Sequence, residues 1–419
     1  MSTPDGYRRV SIDSSRASEV LHVDSFAFAF TVPDKDRDFL TQILPWERTR
    51  AIEVADASRG TVGTLAAVHA SFEFGMQVPG GHQIPTSGLT WVGVHPGHRR
   101  RGLLRDMIDD HFERSLGRGE AVSILIAAET EIYQRFGYGL ATSDIQMELG
   151  RSVGLRDFPG ADALIVEIDT ANVDRHGDTM RAVQARQTRP GMVTQWDSHT
   201  VADVLMDLDA DRDGAEELRI AIVRDGDEPV AWALFQRKLG WGSSGPDGRT
   251  RVRMWASTSP AATHRLVKVL TDFDLMSTTV MRNFTADDPL LLRIKDIRGA
   301  KLAVRDMIWL RVLDVPAALQ ARSYAADCDV ALAITDKQLP GNEGTWRIRA
   351  SEGTATVTRT DEPADVTVAA QELGAAYLGG TTFAQLHAAA LVSEHRPDAV
   401  RDLSRAFACE VAPAGNLFF

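Results

Sequence analysis

Cysteine is almost missing from this sequence: Cys328 and Cys409 are the only two in 419 residues, far apart and without metal-ligand spacing. That excludes a disulfide framework, a thiolate zinc site and a thiol nucleophile, and leaves each thiol as a small apolar core group. No metal is expected. No run of about 18 apolar residues is present, so no membrane-spanning helix is expected. The first 20 residues are polar and charged and lack the apolar stretch of a signal peptide. The expectation is therefore a cytoplasmic protein, with export by another route left open. Positive charge is also short: 46 Lys and Arg stand against 58 Asp and Glu, a formal net charge of −12. Phosphate backbones ask for the opposite balance, so nucleic acid is not expected as a partner. An acidic chain favours cationic guests, or in the plainer reading simply stays soluble.

What is present describes a large globular chain. Hydrophobic residues make up 44% and charged residues 25%, the balance of packed domains rather than of disorder. At about 150 residues per domain the length suggests three. Phe72, Phe74, Met76 and Val78 alternate with polar or small residues, the period of a half-buried strand. Pro79-Gly80-Gly81 breaks it, Pro85 and Gly88 bound a loop, and residues 89–94 form the next strand. Leu104, Ile108, Phe112 and Leu116 then fall on one helical face, which Gly117 and Gly119 end. Residues 121–128 read as a buried strand.

The order strand, proline turn, helix returns at Met254-Trp255-Ala256, Pro260, and Leu266, Val269, Leu270 and Phe273, this time without arginines in the turn. A related second domain that has lost its ligand site is the reading. Beyond it, helices at 316–325, 383–392 and 399–407 and strands at 330–334, 345–349, 355–358 and 366–369 suggest a small α+β domain.

The informative stretch is Val92-Gly93-Val94-His95-Pro96-Gly97-His98-Arg99-Arg100-Arg101-Gly102-Leu103-Leu104-Arg105. A strand enters an Arg/Gly turn, and the turn opens a helix. Helix N-terminal amides lack intrahelical partners and point one way, so with the dipole they make an anion site suited to a pyrophosphate. Gly102 lets the backbone approach such a group, and the arginines add charge-assisted hydrogen bonds. Three arginines alone are more often a solvated surface. One strand later stands Ile132-Tyr133-Gln134-Arg135-Phe136-Gly137-Tyr138-Gly139.

The two motifs together resemble the GCN5-related N-acetyltransferase (GNAT) superfamily, and more closely its enhanced-intracellular-survival (Eis) family. The usual phosphate turn of the superfamily ends Gly-x-Gly or Gly-x-Ala; this one ends Gly102-Leu103-Leu104, as the narrower family's does. The resemblance extends through Leu313-Asp314-Val315-Pro316-Ala317-Ala318-Leu319-Gln320-Ala321-Arg322 and Tyr377-Leu378-Gly379-Gly380. It implies an α+β chain of two tandem GNAT-like domains followed by a sterol-carrier-protein-like domain. The divisions are 1–150, carrying the acetyl-CoA site; 151–303, degenerate; and 304–419, ending in a carboxylate that reaches back. It also implies a homohexamer and acetyl-CoA as cosubstrate. The cofactor contacts it implies are Val92, Gly93, Val94, Arg100, Arg101, Gly102, Leu103, Leu104, Arg105, Ala128 and Glu129.

The implied reaction is direct attack of an amine on the thioester in a ternary complex. The Val94 N–H is the expected oxyanion donor. The resemblance selects Tyr133 as acid for the departing thiolate, with Tyr138 read as core, and the terminal carboxylate of Phe419 as base. Within the first domain Asp24, Glu129 and His22 are alternative bases, although Glu129 reads rather as shaping the cofactor channel. Phe26, Phe28 and Trp46 fit an aromatic wall for a cation or, more simply, core packing. The expected substrates are cationic amines, aminoglycosides at several positions, with protein lysines as the alternative. A non-catalytic acetyl-CoA or lipid-binding protein is the third reading. Some relatives place acidic residues where this chain has Ser25-Phe26-Ala27-Phe28 and Phe418-Phe419, so a relative's substrate range does not transfer directly.

Overall fold

The alternation at Phe72–Val78 belongs to one arm of a long hairpin. In the computed structural model, which describes residues 3–34, 37–151 and 153–419, the chain begins with β1 (Tyr7–Ser11), α1 (Ala17–Phe28), α2 (Arg37–Ile43), β2 (Arg50–Val54), β3 (Leu65–Val78) and β4 (His82–Val94). It continues through α3 (Leu103–Gly117), β5 (Val122–Leu125), α4 (Thr130–Gln134), β6 (Gly139–Leu140) and β7 (Ser143–Gly150). The loop expected around Pro85 and Gly88 is instead strand. Pro85 lies opposite Gly75, and β5 pairs with β4 only from Thr86. Proline therefore falls where the strand has no neighbour on its other side, a place that tolerates a missing N–H. On α3 the buried face is Leu103, Met107, Ile108 and Phe112, while Leu116 is 37% exposed and points away from it.

Two seven-stranded sheets exchange strands. The first has the order β1-β2-β3-β4-β5, then Trp309–Val312, then β6. The second runs Ala303–Asp306, β7, Met276–Phe284, Gly248–Ser257, Glu228–Lys238, Arg219–Asp225 and Ile165–Thr170. The chain thus crosses from first sheet to second after β6 and returns after Asp306. The two crossings are tied together: the Met307 N–H donates to the Thr142 carbonyl (3.0 Å) and the Ile308 N–H to Thr142 Oγ1 (3.0 Å). By sheet membership the middle stretch starts at Ser143 and ends at Asp306.

The last sheet has the order Thr354–Arg359, Gly344–Ser351, Cys328–Thr335, Val366–Ala369, Val392–Glu394. Four of these strands lie where the alternation placed them. Val392 ends in a short strand rather than a helix, and the helix Ala370–Ala376 has no counterpart in the sequence reading. One apolar cluster runs from Phe72 and Phe74 through Trp196 and Trp232 to Val330 and Phe407, so the three large sheets are joined by a common core, with smaller clusters beside it.

The returning strand carries a charge into that core. Arg311 and Asp336 are both buried, and Arg311 Nη2 lies 2.6 Å from each Asp336 oxygen. Asp336 also accepts from the Gln338 and Leu339 amides and from Asn342 Nδ2 (3.1, 3.0 and 3.2 Å). Gly137 makes room for it: its φ is +83°, and a Cβ there would come 2.9 Å from Arg311 Nε. Removing one member of such a pair strands a buried charge, at a cost of about 3–5 kcal/mol. Asp336→Ala should lower the unfolding free energy, read from chemical denaturation, by that much, and a loss under about 1 kcal/mol would show that water compensates Arg311.

Candidate active site

The site begins where two strands stop pairing. β4 and β5 run parallel for three pairs only, Thr86↔Val122, Ser87↔Ser123 and Gly88↔Ile124. Beyond Gly88 the edge of β4 is open. On its other side the ladder with β3 slips between Val68↔Gly93 and Ala70↔Thr90, so Trp91 and Val92 together oppose His69. This is a bulge, and Trp91 sits in it at φ 52°. The His95 N–H donates to the Ala66 carbonyl (2.9 Å). By the alternation of an antiparallel ladder, the Val94 N–H then faces the open gap.

The turn after β4 ends at Gly102, whose φ of +84° lets the chain enter α3 without a side-chain cap. The first-turn amides of α3, at Leu103 and Leu104, thus have neither intrahelical partner nor cap. A cavity of about 900 Å³ lies between this helix end, the open strand edge and α4. Val92, Val94, Arg100, Gly102, Leu103, Leu104, Arg105, Ala128 and Glu129 line it. Gly93 and Arg101 do not. Arg101 Nη1 donates to the Tyr7 hydroxyl (2.7 Å), which lies 3.0 Å from His98 Nδ1. Gly93 faces α1. The cavity also takes Ala27, Phe28 and Ala29 from the end of α1 and Gln338 from the last domain. Phe28 is the one of these that the sequence offered, as a wall residue; Ala27 and Ala29 carry no motif, and Gln338 is placed by the distant Arg311–Asp336 pair.

Tyr133, on α4, lines the same cavity. Burial, with Glu129 adding to it, pushes its phenol up to about 12, so it stays protonated at neutral pH. Tyr138 is fully buried, and its hydroxyl shares a hydrogen bond with Ser123 Oγ (2.8 Å), itself 2.8 Å from His111 Nε2. It packs edge-on to Tyr133 and serves the core.

The chain end does not line the cavity, yet it reaches the first sheet. The Phe419 ring meets Phe74 edge-on, centroids 4.9 Å apart, and a Cβ on Gly88 would come within 3.1 Å of it. Gly88 is the last paired residue before the gap. Asn416 brackets Val193, accepting its N–H (2.9 Å) and donating to its carbonyl (3.1 Å). Leu417 is buried, and the Arg282 guanidinium lies 4.6 Å above the Phe418 ring.

The other sequence candidates separate. Trp46 packs with Val20 and Val23 in the core under α1. Phe26 is 54% exposed and lies tilted against His22 and His95 (4.7 and 5.0 Å between centroids). Phe28 is half-exposed at the cavity rim. Glu129 precedes α4 and faces the cavity. Asp24 is buried against Gly93, where a Cβ would come 3.6 Å from its Oδ1, and that oxygen has no hydrogen-bond partner among the described residues. Burial pushes its carboxyl up to about 7.

The second sheet repeats the parting but fills it. Gly248–Ser257 and Met276–Phe284 pair from Gly248↔Met276 to Arg251↔Val280 and then diverge. Trp255 Nε1 donates to the Arg282 carbonyl (2.6 Å) across that opening. The helix Pro260–Leu270 is capped by Ser259, whose side chain accepts the Ala262 N–H (3.2 Å). Ala414, Gly415 and Asn416 line the small cavity that is left. Among the described residues no group of His, Cys, Asp and Glu is arranged to hold a metal, and no helix is long and apolar enough to cross a membrane.

Comparison with known proteins agrees with this layout. One acetyltransferase (GNAT) domain family matches residues 7–141, a second acetyltransferase (GNAT) domain family matches 193–312, and a sterol carrier protein domain family matches 315–414. An uncharacterized N-acetyltransferase of Streptomyces avermitilis is 35% identical over 385 residues, covering 90% of this chain and 91% of that protein. N-acetyltransferase Eis of Mycobacterium tuberculosis is 30% identical over 353 residues, 80% of this chain and 81% of that protein. The crystal structure of Eis1 from Mycobacterium abscessus superposes with a TM-score of 0.81 at 27% identity, covering 99% of this chain and 100% of that one. A GCN5-related N-acetyltransferase from Anabaena variabilis shares the fold at a TM-score of 0.83 and 18% identity, covering 99% and 100%.

Asp24 gives a test of the site's electrostatics. Its folded-state value of about 7 lies above the roughly 3.9 of an unfolded aspartate. The folded chain therefore holds the proton more tightly, and stability is lost as pH rises from about 4 towards 7. Asp24→Asn should remove that loss. Its melting temperature should match wild type near pH 4 and exceed it by several degrees at pH 8; curves that stay parallel would mean that Asp24 is solvated.

Proposed function

Because the chain belongs to the Eis-type N-acetyltransferases of the GNAT superfamily, we propose that it transfers acetyl groups from acetyl-CoA to cationic amines, aminoglycosides at several positions foremost, within one ternary complex. The observation that carries this reading is the meeting, around one cavity, of an uncapped helix N-terminus, an unpaired strand edge and a protonated tyrosine. These residues fit acetyl-CoA. The α3 amides and Arg100 and Arg105 suit a pyrophosphate. The free edge at Val92 and Val94 suits the amide-bearing pantetheine arm, as an added strand would. When bound, the cosubstrate supplies an acetyl thioester. GNAT acetyltransferases use that donor, and N-acetyl transfer is this chain's chemistry.

The roles then follow from position. The Val94 N–H, facing the gap, holds the carbonyl oxygen as charge gathers on it. Tyr133 holds the proton that a departing thiolate needs, and its raised value keeps that proton in place until then. The terminal carboxylate of Phe419 takes the proton of the attacking amine. Support for this is the docking of Asn416, Leu417 and Phe418, which brings Phe419 to Gly88 at the closed end of the gap. Gly93 and Arg101 act indirectly, one by leaving space beside α1, the other by fixing the turn through Tyr7. The stretch 151–303 serves as a degenerate GNAT domain, a reading supported by the filled gap of the second sheet. The net charge of −12 favours a cationic acceptor. The same reading has the chain act in the cytoplasm as a homohexamer, with neither metal nor membrane partner.

Thiol release from acetyl-CoA tests this with a panel of aminoglycosides and lysine peptides. Tyr133→Phe should lower kcat by about 10²–10³-fold, with the KM for acetyl-CoA within a few-fold of wild type. Extending the chain by a few residues past Phe419 should lower kcat comparably. Full activity in the extended protein would exclude the terminal carboxylate as base. Turnover of lysine peptides alone would move the substrate assignment to protein acetylation.

A further inference from the structure

The last domain reaches into the cavity of the first at one residue. Among the described residues that line it, only Gln338 comes from beyond Phe136. Gln338 sits in a loop that the fold holds tightly. Asp336 accepts the Gln338 and Leu339 amides at 3.1 and 3.0 Å. Asn342 closes the far end of the loop: its Nδ2 donates to the Val312 carbonyl and to Asp336 Oδ2, both at 3.2 Å, and its Oδ1 accepts the Val315 N–H at 3.2 Å. Leu339 packs on the same apolar cluster as Val92, Leu104, Ile132 and Tyr133. The Gln338 backbone is therefore fixed against the walls of the cavity.

Its side chain takes no part in that bracing. Gln338 is half-buried, and its Oε1 is buried with no hydrogen-bond partner among the described residues. Folded chains rarely leave such an oxygen without a donor. The amide turns about its last bond, so this oxygen can be presented to the cavity while the braced backbone stays still. The cavity itself is rich in donors: Arg99, Arg100, Arg105 and Arg135 line it against one carboxylate, Glu129, and the α3 amides add to them. Side-chain acceptors are the scarce groups there. We infer that Gln338 accepts a hydrogen bond from an amide N–H of the pantetheine arm, so that the last domain completes the cofactor site; this rests on the acetyltransferase reading above.

The chemistry of the two partners matches. The phosphates of the cosubstrate answer the arginines and the helix amides. The arm is uncharged and carries two amides. Laid along the β4 edge it pairs on one side only, and an N–H on its other side is left to find an acceptor elsewhere in the cavity. An uncharged amide suits that task, because its oxygen costs less to desolvate than a carboxylate does. The acceptor's amine is the other donor that could meet Gln338, and the two cases part in the experiment.

Titration calorimetry on the full chain measures the Kd of CoA and of adenosine 3′,5′-diphosphate, which keeps the nucleotide and lacks the arm. The proteins are wild type, Gln338→Met, which keeps the length and loses the amide, and Gln338→Glu, which keeps an acceptor. Gln338→Met should raise the Kd of CoA about tenfold and leave that of the diphosphate within about twofold of wild type. Gln338→Glu should hold the ratio of the two constants within about threefold of wild type, since a carboxylate oxygen still accepts. The unliganded melting temperature of Gln338→Met should stay within about 2 °C of wild type, as for a half-buried side chain that braces nothing. An unchanged Kd for CoA in Gln338→Met overturns the inference and leaves acetyl transfer standing. Equal weakening of CoA and diphosphate overturns it too, since Gln338 would then serve the nucleotide or the fold. A raised KM for the amine at saturating acetyl-CoA, with CoA bound as in wild type, would assign the residue to the acceptor instead. A wild type that binds neither CoA nor the diphosphate overturns the acetyltransferase reading first, and this inference with it.

Discussion

Three residue pairs hold β4 to β5, and then the strands part. Most of what surrounds the first sheet answers that parting. A strand edge inside a protein exposes peptide groups that must find partners in water, a ligand or another chain. The bulge at Trp91 and Val92 bends β4 away from β5 and sets which amides face the opening. The turn at Gly102 then brings an uncapped helix end to its mouth. Strand edge and helix end leave donors unpaired in the same place, so the cavity is polar on two sides although Leu103, Leu104, Ile132 and Phe136 supply much of its wall.

The parting is held open from a distance. β5 has on its far side not β6 but Trp309–Val312, a strand that arrives after the whole second sheet has been built. Arg311 on that strand ties it to Asp336 of the last domain, and Asp336 in turn fixes the loop that places Gln338 at the cavity. The walls of the site thus come from residues more than 200 positions apart. Any loosening of the last domain should be felt at Tyr133 and Phe136, which lie beside Gly137 and its contact with Arg311.

Sequence reading reached what local pattern controls. The alternation of Phe72, Phe74, Met76 and Val78 and the helical period from Leu104 to Phe112 depend on burial within single elements. The Arg/Gly turn announces itself because a helix N-terminus has a fixed chemistry. Pro85 and Gly88 misled for a local reason: both usually end strands, but Pro85 sits where β4 has no neighbour on one side and Gly88 is paired on both. The exchange of strands was not legible. β6 has two residues and the returning strand four, too short for a period, and a strand containing Arg311 looks exposed until its partner 25 residues later is known. The isolation of Asp24 was equally hidden, because having no partner is a property of the neighbours, and α1 and β4 are some 70 residues apart in sequence.

The two sheets show what becomes of the same opening when its contents differ. In the second, Trp255 bonds across the gap to the Arg282 carbonyl and residues 414–416 lie against it, so a small cavity remains where the first sheet has a cleft. That occupation is also what fixes the chain end. Asn416 is clamped to Val193, and Val193 belongs to a short segment that bonds with β3 of the first sheet through Gly75 and Gln77. Phe418 is pressed under Arg282, which Asp144 of β7 holds in place (3.0 Å). Closing the second gap therefore settles the direction in which the last residue leaves, towards Phe74 and Gly88. A second sheet whose opening had stayed free would offer another cleft but no fixed floor for the tail. In this chain the filled cleft supports the open one.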